Sequence, residues 1–382
     1  MEISQESDNC NIYLVIPPGL EALAKLEFIE KWKLCFQSKH PKIIQSEGGL
    51  QFSVIFHEIE FLALHLKIPT RMLLRVSDVF KVRDFPKLFT KIKKAIWIKD
   101  YLIKTPEIIK CTTKQSRLLH STKVEETIRK ALNEYFQHNP PKKKTTEYAK
   151  DYTSPVMHIR IENDNCQISL DISGGNLYKR GDRLHIGEAP IRENLAAAFI
   201  YFCQSHIQES LCDPMCGSAS LLLEAHSFYS PISRNRLSFL TMPLFIKQKS
   251  SLKEIDVTIN NNLREINLKS YGLDRCLKTL DAARLNNKYS DFSENNIWDS
   301  WPIEATLDQI ILNPPWNKRI KLDAKKNRSH KDLFELLISK NSKSLGLILP
   351  RDIDIKKFSL QPKKKIYLTS GGINIQFLYW GS

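Results

Sequence analysis

The chain has no Cys-x-x-Cys pair among its eight cysteines, which fall at 10, 35, 111, 166, 203, 212, 216 and 276. That scatter excludes the recurrent spacings of zinc ribbons and disulfide frameworks, so no metal is expected and the thiols read as reduced and cytosolic. No apolar run approaches the ~18 residues that a membrane span needs. Met1 to Asn11 is polar and acidic, unlike a signal peptide. A soluble cytoplasmic protein without a membrane partner is expected. No internal repeat is visible. Acids are scarce relative to bases: 42 against 57, a formal net charge of +15 and a pI near 9.3. Such an excess points to a polyanionic partner, with a basic housekeeping protein as the plain alternative. What is present is a 42% hydrophobic content over 382 residues. That suffices for real cores and for two or three domains.

The first part reads as α+β. IYLVI (12–16) has the character of a strand, Pro17-Pro18-Gly19 breaks it, and 20–32 carries helical apolar spacing. QFSVIF (51–56) is a second strand before a helix near 58–66. Arg71 to Lys104 is basic, with Lys81, Arg83, Lys87, Lys91, Lys93, Lys94, Lys99 and Lys104 interleaved with Phe80, Phe85, Phe89, Trp97 and Tyr101. Lysines neutralise phosphates and aromatics stack on bases. The competing reading is a solvated face with its aromatics in the core, favoured for Phe85, Phe89 and Trp97. A helix is predicted over 123–136, a Lys-rich loop over 138–150, and strands at 157–162 and 166–172 joined by an Asn/Asp turn. A helix is predicted to begin near Pro190. From about 210, strands at 209–213, 270–274, 307–312 and 344–349 alternate with helices at 218–228, 276–286 and 331–340. INIQFLYW closes the chain at 373–380 as an apolar β run. The alternation argues for a mostly parallel, doubly wound sheet.

Three strand ends carry chemistry. ESLCDPMCGSASLLLEA (209–225) is a strand, a turn through Gly217 and a helix start. In open α/β sheets ligands bind at such carboxyl ends, and free N–H groups at the helix start suit a ligand carboxylate. SYGLD (270–274) ends a strand in an acid that could accept both hydroxyls of a ribose, or could cap the next helix. ILNPPW (311–316) ends a strand in a turn that prolines stiffen. There the Asn313 side-chain oxygen and the Pro314 carbonyl can accept the two hydrogens of an exocyclic amine, and Trp316 can stack on an extruded base.

In this order, DPMCGS, YGLD and NPPW resemble the first, second and fourth motifs of class I methyltransferases that act on exocyclic amino groups. SGGNLYKRGDR (173–183), EAPIRENLAAAFI (188–200), RMLLRVSDVFKVRDF (71–85), IWIKDYL (96–102), TTKQSRLLHS (112–121) and NRLSFLTMPLF (235–245) narrow the likeness. They resemble the THUMP-domain class I RNA methyltransferases, in particular the bacterial guanine-N2 enzymes of large-subunit (23S) ribosomal RNA. The resemblance runs from about residue 12 to the end.

It implies an α/β fold: a Rossmann-like class I methyltransferase domain ending in an antiparallel hairpin, preceded by an α+β ferredoxin-like/THUMP RNA-binding region. The corresponding divisions are 1–68, 69–185 and 186–382. It implies S-adenosylmethionine as donor and RNA, ribosomal RNA first, as partner. By matching positions, Asp213, Pro214, Cys216, Gly217 and Ser218 would line the methionine part of the donor and Asp274 its ribose. Asn296 would meet its adenine amine, with Asp299 close by. Arg192 and Glu193 would flank the donor pocket. Asn313, Pro314, Pro315 and Trp316 would hold the target amine and base. Lys179, Arg180 and Arg183 would contact RNA backbone, or the two arginines would form interdomain salt bridges. The chain departs from the family pattern at Ala219 and Asn317, where Gly is usual, at Asn296, where an acid is usual, and at Trp316, where Tyr is usual. Three alternatives stand beside this expectation: the same chemistry on transfer RNA, an RNA-binding protein with a decayed donor site, and a DNA amino-methyltransferase. The last leaves the THUMP-like half unexplained.

Overall fold

The computed structural model describes residues 9–36, 39–141, 152–180, 191–232, 237–245, 267–316, 322 and 328–381. Arg183, Asn317, the junction at 181–190, including the helix start expected near Pro190, and most of the 142–151 and 317–327 loops lie outside them.

The front part is one eight-stranded sheet. Its strands are β1 (Asn9–Val15), β2 (Ile44–Ser46), β3 (Gly49–Ile55), β4 (Arg71–Arg75), β5 (Phe80–Lys81), β6 (Ile109–Lys114), β7 (Met157–Glu162) and β8 (Asn165–Asp171). They run β2-β3-β1-β4-β8-β7-β6, with β5 paired to β8. β1 buries alternate residues, Cys10, Ile12 and Leu14, as a strand with one face on the core must. β4 pairs with β1 on one side and β8 on the other. The segments 1–68 and 69–185 therefore share one sheet and one core.

Helices α1 (Glu21–Phe36), α2 (Phe56–His65), α3 (Phe85–Lys93), α4 (Ile98–Tyr101) and α5 (Ser121–His138) complete this region. α3 starts where Asp84 accepts the Lys87 N–H at 2.8 Å and Pro86 sits in the first turn. Trp97 is buried, and Phe85 and Phe89 pack on the core, as the plain reading had it. Lys81, Arg83, Lys87, Lys91, Lys94, Lys99 and Lys104 are exposed.

The second sheet has seven strands: β9 (Ser210–Asp213), β10 (Lys269–Asp274), β11 (Ser290–Glu294), β12 (Gln309–Leu312), β13 (Ser344–Pro350), β14 (Lys364–Ser370) and β15 (Ile373–Gly381). The order is β11-β10-β9-β12-β13-β15-β14. β11 through β13 are parallel, while β15 is antiparallel to both β13 and β14. This is the mostly parallel sheet and terminal hairpin that were expected. Helices α6 (Glu193–Cys203), α7 (Ser220–His226), α8 (Leu277–Asn286) and α9 (His330–Ile338) cover it. Among the described residues no helix is long and apolar enough to cross a membrane.

The two sheets are joined through helices rather than tethered. Phe56 of α2 meets Phe245 of the second part at 3.9 Å between ring centroids, a contact class that adds about 0.5–1.5 kcal/mol beyond area burial. Glu27 and Lys31 of α1 form a fully buried ion pair at 2.7 Å, and Lys31 lies 4.3 Å over the Phe228 ring. Lys67 donates to the Ser227 carbonyl and, at 3.0 Å, to the Ser227 hydroxyl. Tyr201 and Tyr229 both donate to Glu30. Together with the neighbouring His206 these bonds outweigh burial and hold the Glu30 carboxyl down at about 2.

Arg180 corrects an expectation. Its side chain is 3% exposed and is paired with Glu224 of α7. Its second terminal nitrogen donates to the Lys67 carbonyl at 3.0 Å. A guanidinium sealed against a carboxylate inside the chain is no RNA contact; Arg180 forms a buried salt bridge to Glu224 instead. Lys179 beside it is exposed.

Candidate active site

β9 is the strand at which the sheet order reverses. β10 and β11 continue on one side of it, β12 and β13 on the other. Ligands of open α/β sheets bind in the crevice at the carboxyl ends of the strands beside such a point. The three motif-bearing strand ends, Asp213, Asp274 and Leu312–Asn313, belong to the neighbouring strands β9, β10 and β12.

The turn after β9 is tied down by backbone. The Met215 N–H donates to Asp213 Oδ1 at 3.1 Å, and the Cys216 N–H donates to the Leu273 carbonyl at 2.9 Å. The Gly217 N–H donates to Asp274 Oδ2 at 3.0 Å. Asp274 Oδ1 accepts from Cys276 N–H at 2.9 Å. The second acid therefore does two jobs: it holds the Cys276 N–H just ahead of α8, whose N-cap is Cys276 and carries no side-chain cap bond, and it clamps the β9 turn to β10. Gly217 has φ +53, and a Cβ placed there meets no atom within 4 Å. Its bare backbone faces open space. Ala219, also left-handed at φ 62, is fully buried. Ser218 is buried, and its carbonyl accepts from Asn286 at 3.2 Å.

Asp213 is 2% exposed. Burial, together with the negative charge of Asp274, pushes its carboxyl up to about 8 against the pull of the Met215 N–H. An acid this costly to ionise, beside a second acid and an open glycine backbone, suits a cationic ligand group. Cys216 is not a nucleophile: burial and the two nearby carboxylates raise its thiol well above the ordinary range. Its sulfur packs instead near Gly272, where any Cβ would also lie 2.4 Å from the Phe292 ring.

Beyond β12, Asn313 Oδ1 is buried with no hydrogen-bond partner among the described residues. Trp316 is half-buried against the core, and its Nε1 is likewise buried and unpartnered. The Pro315 carbonyl is occupied, 2.9 Å from Nε2 of His330 at the start of α9. Burial lowers the His330 pKa against the pull of this bond and of Asp352; the ring nitrogen donates to the carbonyl and pins the turn. Sequence reasoning missed His330, since nothing in SHKDLF marks it. The Ser329–Asp332 capping box behind it was the available signal.

Asn296 does not point a free amide at a ligand. Its Oδ1 accepts the Trp298 N–H at 3.3 Å, and its Nδ2 donates to Asp299 at 2.8 Å. The adjacent Asn295 has the unpartnered buried oxygen. Arg192, exposed at the cap of α6, lies 5.7 Å from the Tyr178 ring and beside Gly371 of the β14–β15 turn. Glu193 opens α6. Among the described residues no cluster of three or more His, Cys, Asp or Glu could hold a metal ion.

Comparison with known proteins agrees with this geometry. The ribosomal RNA large subunit methyltransferase K/L of Colwellia psychrerythraea is 27% identical over 301 residues, covering 73% of this chain and 40% of the relative. That of Vibrio cholerae is 23% identical over 288 residues, 72% and 40% respectively. The chain thus spans about 40% of the length of these curated relatives. Among solved structures, "a possible methylase from Clostridium difficile 630" superposes with a TM-score of 0.76 at 23% identity over 98% of both chains. SMU.472, solved with SAH, gives 0.76 at 20% identity over 98% of this chain and 99% of its own. TrmN of Thermus thermophilus gives 0.65 at 13% identity over 97% and 98%. These structures share the whole two-part fold. A family model described as RMKL-like, methyltransferase domain (UPF0020) matches residues 180–372, just over half of the chain, and the chain belongs to that family.

Proposed function

We propose that the chain transfers a methyl group from S-adenosylmethionine to the exocyclic N2 of a guanine in large-subunit ribosomal RNA, in the cytoplasm. The observation that carries the reading is Asn313 Oδ1. It is a buried, unpartnered acceptor at the end of β12, beside the reversal strand whose turn joins a buried acid to an open glycine. The choice of ribosomal RNA rests on the K/L relatives. The divisions 1–68, 69–185 and 186–382 belong to the same proposal, the first two forming the ferredoxin-like/THUMP RNA-binding region. Exposed lysines and a cleft of about 900 Å³ lined by Lys81, Lys87, Lys91 and Lys94 support it. The exposed Lys179 is a further candidate for contact with RNA backbone.

The residues fit the donor. Asp213 takes its ammonium, with Pro214, Cys216, Gly217 and Ser218 lining the turn around its methionine part. Asp274 takes its ribose hydroxyls, and Asn295 or Asn296 its adenine amine, with Arg192 and Glu193 at the rim. The bound donor supplies an electrophilic methyl on a positively charged sulfur. Asn313 and the Pro314 carbonyl accept the amine hydrogens, which draws the nitrogen lone pair out of conjugation and aims it at that methyl. Pro315 stiffens the turn, and Trp316 stacks on the base. The N–C bond forms as the C–S bond breaks, its electron pair stays on sulfur, and the methylated nitrogen loses its proton to solvent. Rate comes from positioning and from the two acceptors.

The test is methyl transfer from labelled S-adenosylmethionine to unmodified ribosomal and transfer RNA, with mass identification of the modified nucleoside. N2-methylguanosine in large-subunit RNA supports the reading, whereas modification of transfer RNA alone moves the target. Transfer to neither refutes it. Asn313→Ala is expected to lower turnover about 10²–10³-fold with S-adenosylhomocysteine binding nearly unchanged. Unchanged turnover removes the role given to Asn313.

A further inference from the structure

The sheet edge beside the Asn313–Trp316 turn carries a cation that the chain does not use itself. β13 lies next to β12 and parallel to it, with Leu347 opposite Leu312. The carboxyl end of β13 continues into Arg351 and Asp352. The charge of Asp352 reaches His330, the residue that holds the Pro315 carbonyl. The Arg351 N–H donates to the Asn374 carbonyl at 3.0 Å, which ties this bend to the terminal hairpin. The register there runs from Leu349 through Gln376 to Tyr367, across β13, β15 and β14. Leu349 stands just beyond Leu347 on the same face, so Tyr367 is level with the turn that follows Leu312. Neighbouring strands lie about 4.8 Å apart, which puts β14 about 14 Å from β12. A Cβ on Gly19 would stand 2.5 Å from the Tyr367 carbonyl, so this edge is also where the front region meets the second sheet.

The Arg351 guanidinium lies over the Tyr367 ring, 4.6 Å from its centroid, and the Lys365 ammonium lies 5.8 Å from the same centroid. Arg351 and Lys365 are exposed, and Tyr367 is 40% exposed. Among the described residues no carboxylate pairs with either cation, and no hydrogen bond occupies the guanidinium N–H groups. Residues 351–365 hold six cations against two acids, Asp352 and Asp354. A ring against one side of a guanidinium limits its freedom, so less is lost when its fork of donors meets an anion. A preorganised, unpaired arginine of this kind suits a phosphate. Resting on the methyl-transfer reading above, we propose that Arg351, held by Tyr367 and assisted by Lys365, grips a backbone phosphate flanking the target guanosine. Such a contact carries no base sequence; it sets the register of the strand at the Asn313 turn. Tyr367 is a positioning residue that acts through Arg351.

The experiment uses the full chain and a synthetic RNA spanning the guanosine that mass analysis identifies as methylated. In a matched series an uncharged methylphosphonate replaces one flanking phosphate at a time. The unaltered chain is expected to lose about tenfold in kcat/KM at one flanking position, the worth of a charge-assisted contact. Arg351→Gln should lose a similar factor on the all-phosphate RNA and no more at that position, with S-adenosylhomocysteine binding unchanged. Tyr367→Leu should lose part of that factor, and Tyr367→Phe, which keeps the ring face, should lose none. Full activity of Arg351→Gln overturns the inference while leaving the methyl-transfer reading intact. So does a series with no sensitive position, or a sensitive position at which the variant still loses the full factor. Equal activities of Tyr367→Leu and Tyr367→Phe remove the positioning role. No methylation of the all-phosphate RNA by the unaltered chain removes both the reading and the inference.

Discussion

Removing Arg180 separates a docked front region from a tethered one. Arg180 and Glu224 are 3% and 4% exposed in their side chains, and the guanidinium also holds the Lys67 carbonyl. Arg180→Met keeps most of the volume and strands the Glu224 carboxylate inside the interface. Breaking a buried pair from one side costs about 3–5 kcal/mol, while replacing both partners by apolar groups is often neutral or stabilising. Lys67 and Lys31 remain nearby and share part of the Glu224 charge, which places the single variant at the lower end, about 3 kcal/mol. Arg180→Met combined with Glu224→Leu is expected to recover most of that loss, so the losses of the two single variants do not add. Urea midpoints of the two singles and the double give the cycle, with RNA affinity measured on the same samples. A surface role predicts the reverse: unchanged midpoints, weaker RNA binding and a shallower salt dependence. That pattern, or strictly additive single effects, refutes the buried latch.

Two titrations follow. The Asp213 carboxyl lies near 8 in the folded chain, against an ordinary 3.8, because it is buried and faces Asp274. The folded state therefore holds its proton between those values while the unfolded state does not, and stability falls as pH rises from about 4 to about 8. Asp213→Asn is expected to remove that fall, to be more stable than the unaltered chain at pH 8.5, and to bind S-adenosylhomocysteine poorly. The unaltered chain should bind that ligand more tightly from pH 6.5 to 8.5 in calorimetry, and a flat profile contradicts the ammonium contact. Lys67 runs the other way in sign. Burial, against the pull of Glu224 and Glu27 and with the push of Arg180 and Lys31, lowers its amine to about 7 from 10.5. Between these values the unfolded state binds the extra proton, so stability rises with pH. Lys67→Met should abolish this rise in urea unfolding from pH 7 to 10, and a rise retained by the variant rules out Lys67 as its source.

Much of the catalytic half was legible because its strands are apolar runs ending in recognisable turns. DPMCGS, SYGLD and ILNPPW each stop a strand with a residue type that continuing β structure disfavours. The observed strands Ser210–Asp213, Lys269–Asp274 and Gln309–Leu312 fall where the pattern put them. β11 escaped notice because SDFSE buries little and shows no apolar alternation, as befits an edge strand. β4 and β6 were hidden in basic and threonine-rich sequence, where only the pairing of β4 between β1 and β8 reveals its role. The division at residue 68 failed to show that pairing for the same reason: a shared sheet is a long-range fact.

Charge was the least transparent signal, and the failure has a physical cause. A cation counts equally toward a net +15 whether it faces solvent or another residue of the chain. Lys31, Lys67 and Arg180 are spent internally, against Glu27, Ser227 and Glu224. The lysines around the front cleft are exposed and are still available to phosphates. What separates Arg180 from Lys179 is a partner 44 residues away, which no local spacing encodes. The cluster in which Arg180 sits reaches α7, the helix that opens just beyond the turn holding Gly217 and Ser218. The position of the front sheet is thereby fixed relative to the donor turn, so RNA held by the exposed lysines would be presented to a site built on the same rigid contacts.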